Sequence, residues 1–328
     1  MVRRNKVPLP HNDPALRSGA RGKDRDSKLG CDMRDRETEM TEGSGCGTCT
    51  QFEDQDRELS TQNRIRWNAL SKAGVLYARP FLSLNHTEAH RFLDTEGLMD
   101  PPEGKRVLVL AGAGGQQSAC LALLGAKVTV LDLSDEQLER DREAARALGL
   151  QLDLHQGDMR DLSRFDENSF DMVYHPHSIN FVPDVNEVFA EVARVLASGG
   201  QYRVDWHNPY TQLVDDESYR VGLGYGLLHP YRDGEVDLKT VFGSDQWPVE
   251  LADGSIVSMD HPRSWVHILG TFVGGLARNG FVILGIGEET STDDEAEPGS
   301  WEHFKRITVP YLRVWTRLVP EAFGSVQQ

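Results

Sequence analysis

The stretch Val107–Ser118, VLVLAGAGGQQS, decides the fold. Its first residues are an apolar run typical of a buried strand, and the glycines after it predict a tight turn into a helix. A strand, a glycine-rich turn and a helix together begin the ligand-binding half of many open parallel sheets. The turn has three possible occupants at this point: a dinucleotide phosphate, a nucleoside without phosphates, or no ligand.

The residues after this turn continue an alternation of strands and helices. Ser134 opens a helix with a capping box, and Gly149 predicts its end. Such an alternation favours an α/β fold with a parallel sheet covered by helices on both faces. The predicted strands are KRVLVLAG, KVTVLDL, LDLHQGD, FDMVYH, QYRVDWH and, after a long interruption, FVILGIGEE.

The composition changes along the chain and divides it into segments. The first is polar with few large apolar residues, which predicts disorder because little surface can be buried. The fourth is too long for an ordinary connection, which predicts a lid or an inserted small sheet. The predicted segments are a disordered tail (1–56), a helical cap segment (57–105), a cofactor-binding core (106–208), an insertion (209–262) and the completion of the sheet, with a new helix from about Arg263 (263–328).

Charge and hydropathy exclude several partners. The 328 residues carry a formal net charge of −16, which opposes binding to a nucleic-acid backbone. The basic start MVRRNK is not followed by an apolar run, and no apolar stretch is long enough to span a bilayer. We therefore expect a cytoplasmic protein without nucleic-acid or membrane partners. Cys46 and Cys49 form a CxxC, but the further ligands or helix that zinc or redox chemistry needs are missing, so no metal is expected.

Three strand ends carry groups that suit a nucleoside. Gly112 and Gly114 supply two glycines of a dinucleotide fingerprint, but Gln117 stands at the third position, which weakens a pyrophosphate site. Asp132 closes the second strand, where a carboxylate can accept hydrogen bonds from both ribose hydroxyls. Asp158 follows the third strand and suits the exocyclic amine of adenine, although a carboxylate there can also serve as a simple turn residue.

Taken together, these motifs resemble the class I S-adenosylmethionine-dependent methyltransferases, and among them the type 11, small-molecule subgroup with a GGQQS-type turn. The resemblance covers about residues 106–207. It departs from the common pattern at Val109, where an acidic residue is usual, and at Ala111 and Ala113, where glycines are usual. The motifs that carry it are VLVLAGAGGQQS, VTVLDLS, QGDMRDL, FDMVYHPHSINFV and EVARVLASGGQYRV.

The resemblance implies a doubly wound, mostly parallel, seven-stranded Rossmann-like sheet, with a helical N-terminal segment and an insertion after the fifth strand. It also implies S-adenosyl-L-methionine as the cofactor of an enzyme that methylates a small molecule. The implied cofactor-binding residues are Ala111, Gly112, Ala113, Gly114, Gln117, Asp132, Leu133, Asp158, Met159 and His175.

Methyl transfer requires little from side chains, because the sulfonium methyl group is already activated. The enzyme places the acceptor in line, and a base is needed only when the acceptor loses a proton. His175, His177 and His207 follow the fourth and fifth strands and are the candidate bases, since imidazole titrates near neutrality. Each has an alternative role, as a backbone contact or a turn residue. Two other functions stay open: a non-catalytic nucleoside-binding protein on this scaffold, and an NAD-dependent oxidoreductase.

Overall fold

The structure is a computed structural model, and it describes residues 47–112, 114–237, 246–251 and 253–320. Ala113 and residues 1–46 of the predicted tail lie outside the described residues. The first helix, α1, spans Gly47–Ala73, and α2 spans His86–Leu93. Helix α1 therefore starts before residue 57, where the predicted tail was to end. The composition argument concerned burial, whereas an existing helix grows by one backbone hydrogen bond for each residue added.

The central sheet contains seven strands. Its strand order is β12-β13-β5-β4-β1-β2-β3, and β13 runs antiparallel to both neighbours while all other pairs are parallel. The seven-stranded, mostly parallel sheet confirms the predicted fold class. In chain order the strands are β1 (Arg106–Leu110), β2 (Lys127–Asp132), β3 (Leu152–Gln156), β4 (Phe170–His175), β5 (Leu196–His207), β6 (Val214–Arg220), β7 (Gly224–Leu227), β8 (Gly234–Glu235), β9 (Gln246–Glu250), β10 (Ile256–Asp260), β11 (Trp265–Val266), β12 (Phe281–Glu289) and β13 (Tyr311–Leu318).

Helices cover both faces of this sheet. The indole of Trp206 in β5 stacks on Phe272 with ring centroids 4.1 Å apart, and both side chains are fully buried. Ser134 caps α4 by accepting from the N–H of Gln137, and Gly149 ends it in a left-handed conformation, as predicted. The predicted capping box is only half formed, because Oε1 of Gln137 has no hydrogen-bond partner among the described residues. The remaining helices are α3 (Gln117–Leu123), α4 (Asp135–Leu148), α5 (Val185–Val195), α6 (Leu269–Arg278) and α7 (Trp301–Thr308).

The insertion after β5 forms small antiparallel pairs, β6 with β7, β9 with β10, and β8 with β11. The predicted helix from about Arg263 is wrong at its start, because Trp265 and Val266 pair with β8 and the helix begins only at Leu269. Helix α1 packs on this insertion through Leu70 and on the N-terminus of α4 through Asn68. The cap segment and the insertion thus meet above the sheet.

Candidate functional site

A cleft lies at the carboxyl ends of β1 to β4, where the strand order reverses. This is the position at which open parallel sheets bind ligands. One wall comes from the sheet and the other from α1, so the cap segment lies over the cleft. The lining residues include Ala111, Asp132, Leu133, Asp158, Met159, His177, Phe181 and Val182 from the core, and Leu59, Ser60, Asn63 and Trp67 from α1.

Asp132 has the most suitable carboxylate of the cleft for a ribose. Its side chain is 7% exposed, and Oδ1 accepts from the N–H of Ser134 at 2.8 Å. No described residue donates a hydrogen bond to Oδ2. Burial, and then the nearby carboxylates of Asp141 and Asp135, raise the pKa of Asp132 to about 7. A buried carboxylate with an unused acceptor is the group that a pair of ribose hydroxyls would satisfy.

The glycine turn is shaped by its packing on neighbouring residues. Ala111 lines the cleft with a φ of 47°, an uncommon conformation for a residue with a side chain. A Cβ on Gly112 would lie 2.6 Å from Cγ1 of Val109, and one on Gly114 would lie 2.5 Å from Oε1 of Gln137. The glycines are therefore required by the strand and by α4. Gly112, Gly114 and the predicted Gln117 do not line the cleft, and Ala113 is outside the described residues.

A buried carboxylate on α4 holds the turn from behind. Oδ1 of Asp141 accepts from the N–H of Gly115 at 2.7 Å and from the hydroxyl of Ser118. The side chain is 1% exposed, and burial raises its pKa to about 7. Asp141 was missed in the sequence, although a carboxylate on the apolar face of a helix, between Leu138 and Ala144, is a usable signal.

Asp158 is already hydrogen-bonded within the chain. Both of its oxygens accept from Arg160, and Oδ2 also accepts from the hydroxyl of Ser60 on α1. These donors and the charge of Arg160 lower the pKa of Asp158 despite the opposing effect of burial. An adenine amine at this carboxylate would share it with Ser60. Asp158 also accepts from the N–H of Arg160, which is the role of a turn residue that the sequence offered as the alternative.

The three candidate histidines lie in different surroundings. His175 is fully buried, with Nδ1 3.0 Å from the hydroxyl of Tyr202, and burial lowers its pKa to about 3. Burial, and then the neighbouring histidines, lower the pKa of His207 to about 3. Neither side chain lines the cleft. Two imidazoles that take up protons so weakly are poor bases.

His177 is the histidine that faces the cleft. Its side chain is 41% exposed, and Nε2 lies 3.3 Å from Oδ2 of Asp205, which is 3% exposed. The ring of Tyr311 packs edge-on at 4.9 Å between centroids. Asp205 was also missed in the sequence, although the charged pair Arg203 and Asp205 inside the apolar strand β5 was visible there.

Trp67 of α1 closes the cleft from above, with its ring centroid 5.1 Å from that of Phe181. Among the residues that the structure describes, no cluster of three or more His, Cys, Asp or Glu is placed to hold a metal ion. Within the same ranges, no helix combines the length and the apolar character needed to cross a bilayer.

Comparison with protein families gives a match for the core of the chain. Residues 108–204 match the family model described as a methyltransferase domain. This match agrees with the methyltransferase domain that the motifs predict for the core. The residues of the cleft fit S-adenosyl-L-methionine, the cofactor that the motifs imply, since Asp132 keeps a buried acceptor oxygen for the ribose and Met159 lines the same cleft.

Individual relatives share the core but not their whole length. An uncharacterized methyltransferase, YbaJ, of Bacillus subtilis is 42% identical over 137 residues, which is 41% of this chain and 53% of that protein. The ubiquinone biosynthesis O-methyltransferase of Xanthomonas axonopodis pv. citri is 34% identical over 100 residues, covering 30% and 42%. The matched part of this chain thus spans about half the length of these relatives.

Solved structures of similar shape include an S-adenosylmethionine dependent methyltransferase from Mesorhizobium loti. It aligns with 71% of this chain and 100% of its own, at 21% identity and a TM-score of 0.47. A putative S-adenosylmethionine dependent methyltransferase from Listeria monocytogenes aligns with 70% and 97%, at 18% identity and a TM-score of 0.48.

Proposed function

We propose that this chain is an S-adenosylmethionine-dependent methyltransferase that transfers the methyl group to a small-molecule acceptor by direct in-line displacement. The observation that carries the proposal is the composition of one cleft. The same cleft holds an unsatisfied carboxylate oxygen of Asp132 and an exposed imidazole of His177. The first suits a nucleoside and the second suits an acceptor that must lose a proton.

Binding of the cofactor rests on the ends of β1, β2 and β3. Asp132 would accept from the ribose hydroxyls, and Asp158 with the N–H of Met159 would meet the adenine edge. When bound, S-adenosylmethionine supplies an activated methyl group on a sulfonium. Leu133 and Ala111 complete the apolar part of the wall, and α1 with Trp67 excludes water from above.

The acceptor is proposed to be a small molecule because the cleft is covered and the chain is acidic. Helix α1 leaves little room above Asp132 for a polymer, and a net charge of −16 repels nucleic acid. One relative is named for an O-methylation in ubiquinone biosynthesis, which supports an organic acceptor of modest size. His177 is the proposed base, and its placement in the cleft is the support for that role.

Isothermal titration of the full chain with S-adenosylhomocysteine and with NAD tests the proposal. We expect micromolar binding of S-adenosylhomocysteine and no binding of NAD. Binding of NAD alone would favour an oxidoreductase and overturn the proposal. An absence of binding to both compounds would favour a scaffold that no longer uses the cofactor.

A further inference from the structure

We propose that Arg203 and Asp205 are positioning residues that hold His177 in one tautomer, and that the acceptor therefore reacts through a hydroxyl or amine that gives up a proton. This inference rests on the proposed function and names the chemistry of its acceptor. Neither Arg203 nor Asp205 lines the cleft, so both act through His177.

Arg203 and Asp205 form a buried ion pair within β5. Their side chains are 6% and 3% exposed, and Nη2 lies 2.7 Å from Oδ1. The guanidinium carbon lies 4.3 Å from the ring centroid of Tyr174. Nε and Nη1 of Arg203 have no hydrogen-bond partner among the described residues, so its charge is balanced by Asp205 and the nearby Glu96 and by the rings of Tyr174 and Trp315. A buried ion pair of this kind seldom stabilises a fold more than apolar residues would, so stability alone does not explain its presence in β5.

The second oxygen of Asp205 reaches toward the cleft. Oδ2 lies 3.3 Å from Nε2 of His177, while Oδ1 faces Arg203. The negative charge of this carboxylate attracts the hydrogen of a neutral imidazole, which favours hydrogen on Nε2 and leaves the lone pair on Nδ1. No described residue hydrogen-bonds to Nδ1. Tyr311 packs edge-on against the ring at 4.9 Å and restrains its rotation.

This arrangement favours a particular acceptor. The oxygen or nitrogen of a hydroxyl or amine forms a bond to the methyl carbon while the carbon–sulfur bond breaks, and the electron pair of that bond stays on sulfur. The acceptor's proton passes to Nδ1 of His177. The imidazolium that results carries a positive charge beside Asp205, which stabilises it. An acceptor atom without a proton would gain nothing from this base.

The tautomer can be observed directly, without knowledge of the acceptor. In full-length protein labelled with ¹⁵N at the imidazoles, long-range ¹H–¹⁵N spectra distinguish Nε2–H from Nδ1–H, and His177→Gln assigns the signal. We expect Nε2–H to be the main neutral tautomer of wild-type His177. In Asp205→Asn, the ratio of Nε2–H to Nδ1–H should fall about fivefold, because a charged acceptor is replaced by a neutral one.

A matched control lies on β3. Nε2 of His155 lies 2.9 Å from Oδ2 of Asp153 at the surface, so Asp153→Asn should change the signal of His155 and leave that of His177 unaltered. If Asp205→Asn does not fold, Arg203→Met with Asp205→Asn removes both charges and leaves no ion unpaired. His177 as Nδ1–H in the wild type, or an unchanged tautomer ratio in a folded Asp205 variant, would overturn the inference.

The same samples are titrated with S-adenosylhomocysteine. Wild-type protein that binds no S-adenosylhomocysteine contradicts the proposed function, whatever the tautomer of His177. Retained binding together with an unchanged tautomer in the Asp205 variant contradicts only the positioning role. The two failures are therefore distinguishable.

Discussion

Replacing Asp132 by asparagine should weaken S-adenosylhomocysteine binding by about 100-fold. Oδ1 already accepts from Ser134, so the ribose depends on Oδ2, which no described residue uses. Asparagine keeps the first acceptor but puts a donor or a neutral acceptor at the second position. A hydrogen bond to a charged group contributes about 1.5–3 kcal/mol, and about 2.7 kcal/mol corresponds to the 100-fold loss.

The pH dependence of binding gives this prediction a second readout. Burial raises the pKa of Asp132 to about 7, and hydroxyl donors favour the ionised carboxylate. Affinity in the wild type should therefore rise from about pH 6 to about pH 8, whereas the variant should show no such rise. Proton release on binding should also make the calorimetric enthalpy depend on the buffer.

Loss of the fold would not explain this result. Because the folded pKa of Asp132 lies above its ordinary value of 3.8, the ionised group destabilises the folded state near neutrality. The substitution Asp132→Asn removes that penalty, so thermal unfolding should occur at the same or a higher temperature. Asp153→Asn changes the same charge at a site 67% exposed on β3 and should bind normally. An unchanged, pH-independent affinity in the Asp132 variant would refute the assignment.

Two further predictions concern the glycine turn. Gly115→Ala should lower the free energy of unfolding by about 2–4 kcal/mol in urea titrations, since φ is 79° and a Cβ would lie 2.7 Å from the carbonyl oxygen of Arg140. Gly149→Ala, with φ at 66° and open space around it, should lose only about 1 kcal/mol, and equal losses would contradict the packing argument. Burial raises the pKa of Asp141 to about 7 from 3.8, so the contribution of this group to the stability of the wild type should fall as the pH rises between those values. Asp141→Asn should reduce that fall by about 4 kcal/mol, and an unchanged slope would contradict the assignment.

Much of the fold follows from local patterns. The strands of the core and the cap at Ser134 were predicted where the structure has them, because apolar runs and capping hydrogen bonds act over a few residues. The start of α6 was not predicted, since Trp265 and Val266 pair with a distant strand. The start of α1 differs because composition reports burial rather than helical backbone.

Only some of the site residues could be predicted from the sequence. Asp132 was placed by its position at the end of a buried strand, and the structure puts it in the cleft. The sequence could not rank His175, His177 and His207, because all three follow strand ends. Their surroundings separate them: two are withdrawn from the cleft, and the third is exposed beside Asp205.

The sequence by itself determined the core strands along the chain, the glycine turn and the carboxylate that closes β2, because each depends on neighbours along the chain. The tertiary structure decided which side chains contact one another. Asp141 meets the turn from another helix, and Asp205 meets His177 from another strand. Burial and partner identity, which set the ionisation of a side chain, arise only when distant segments pack together.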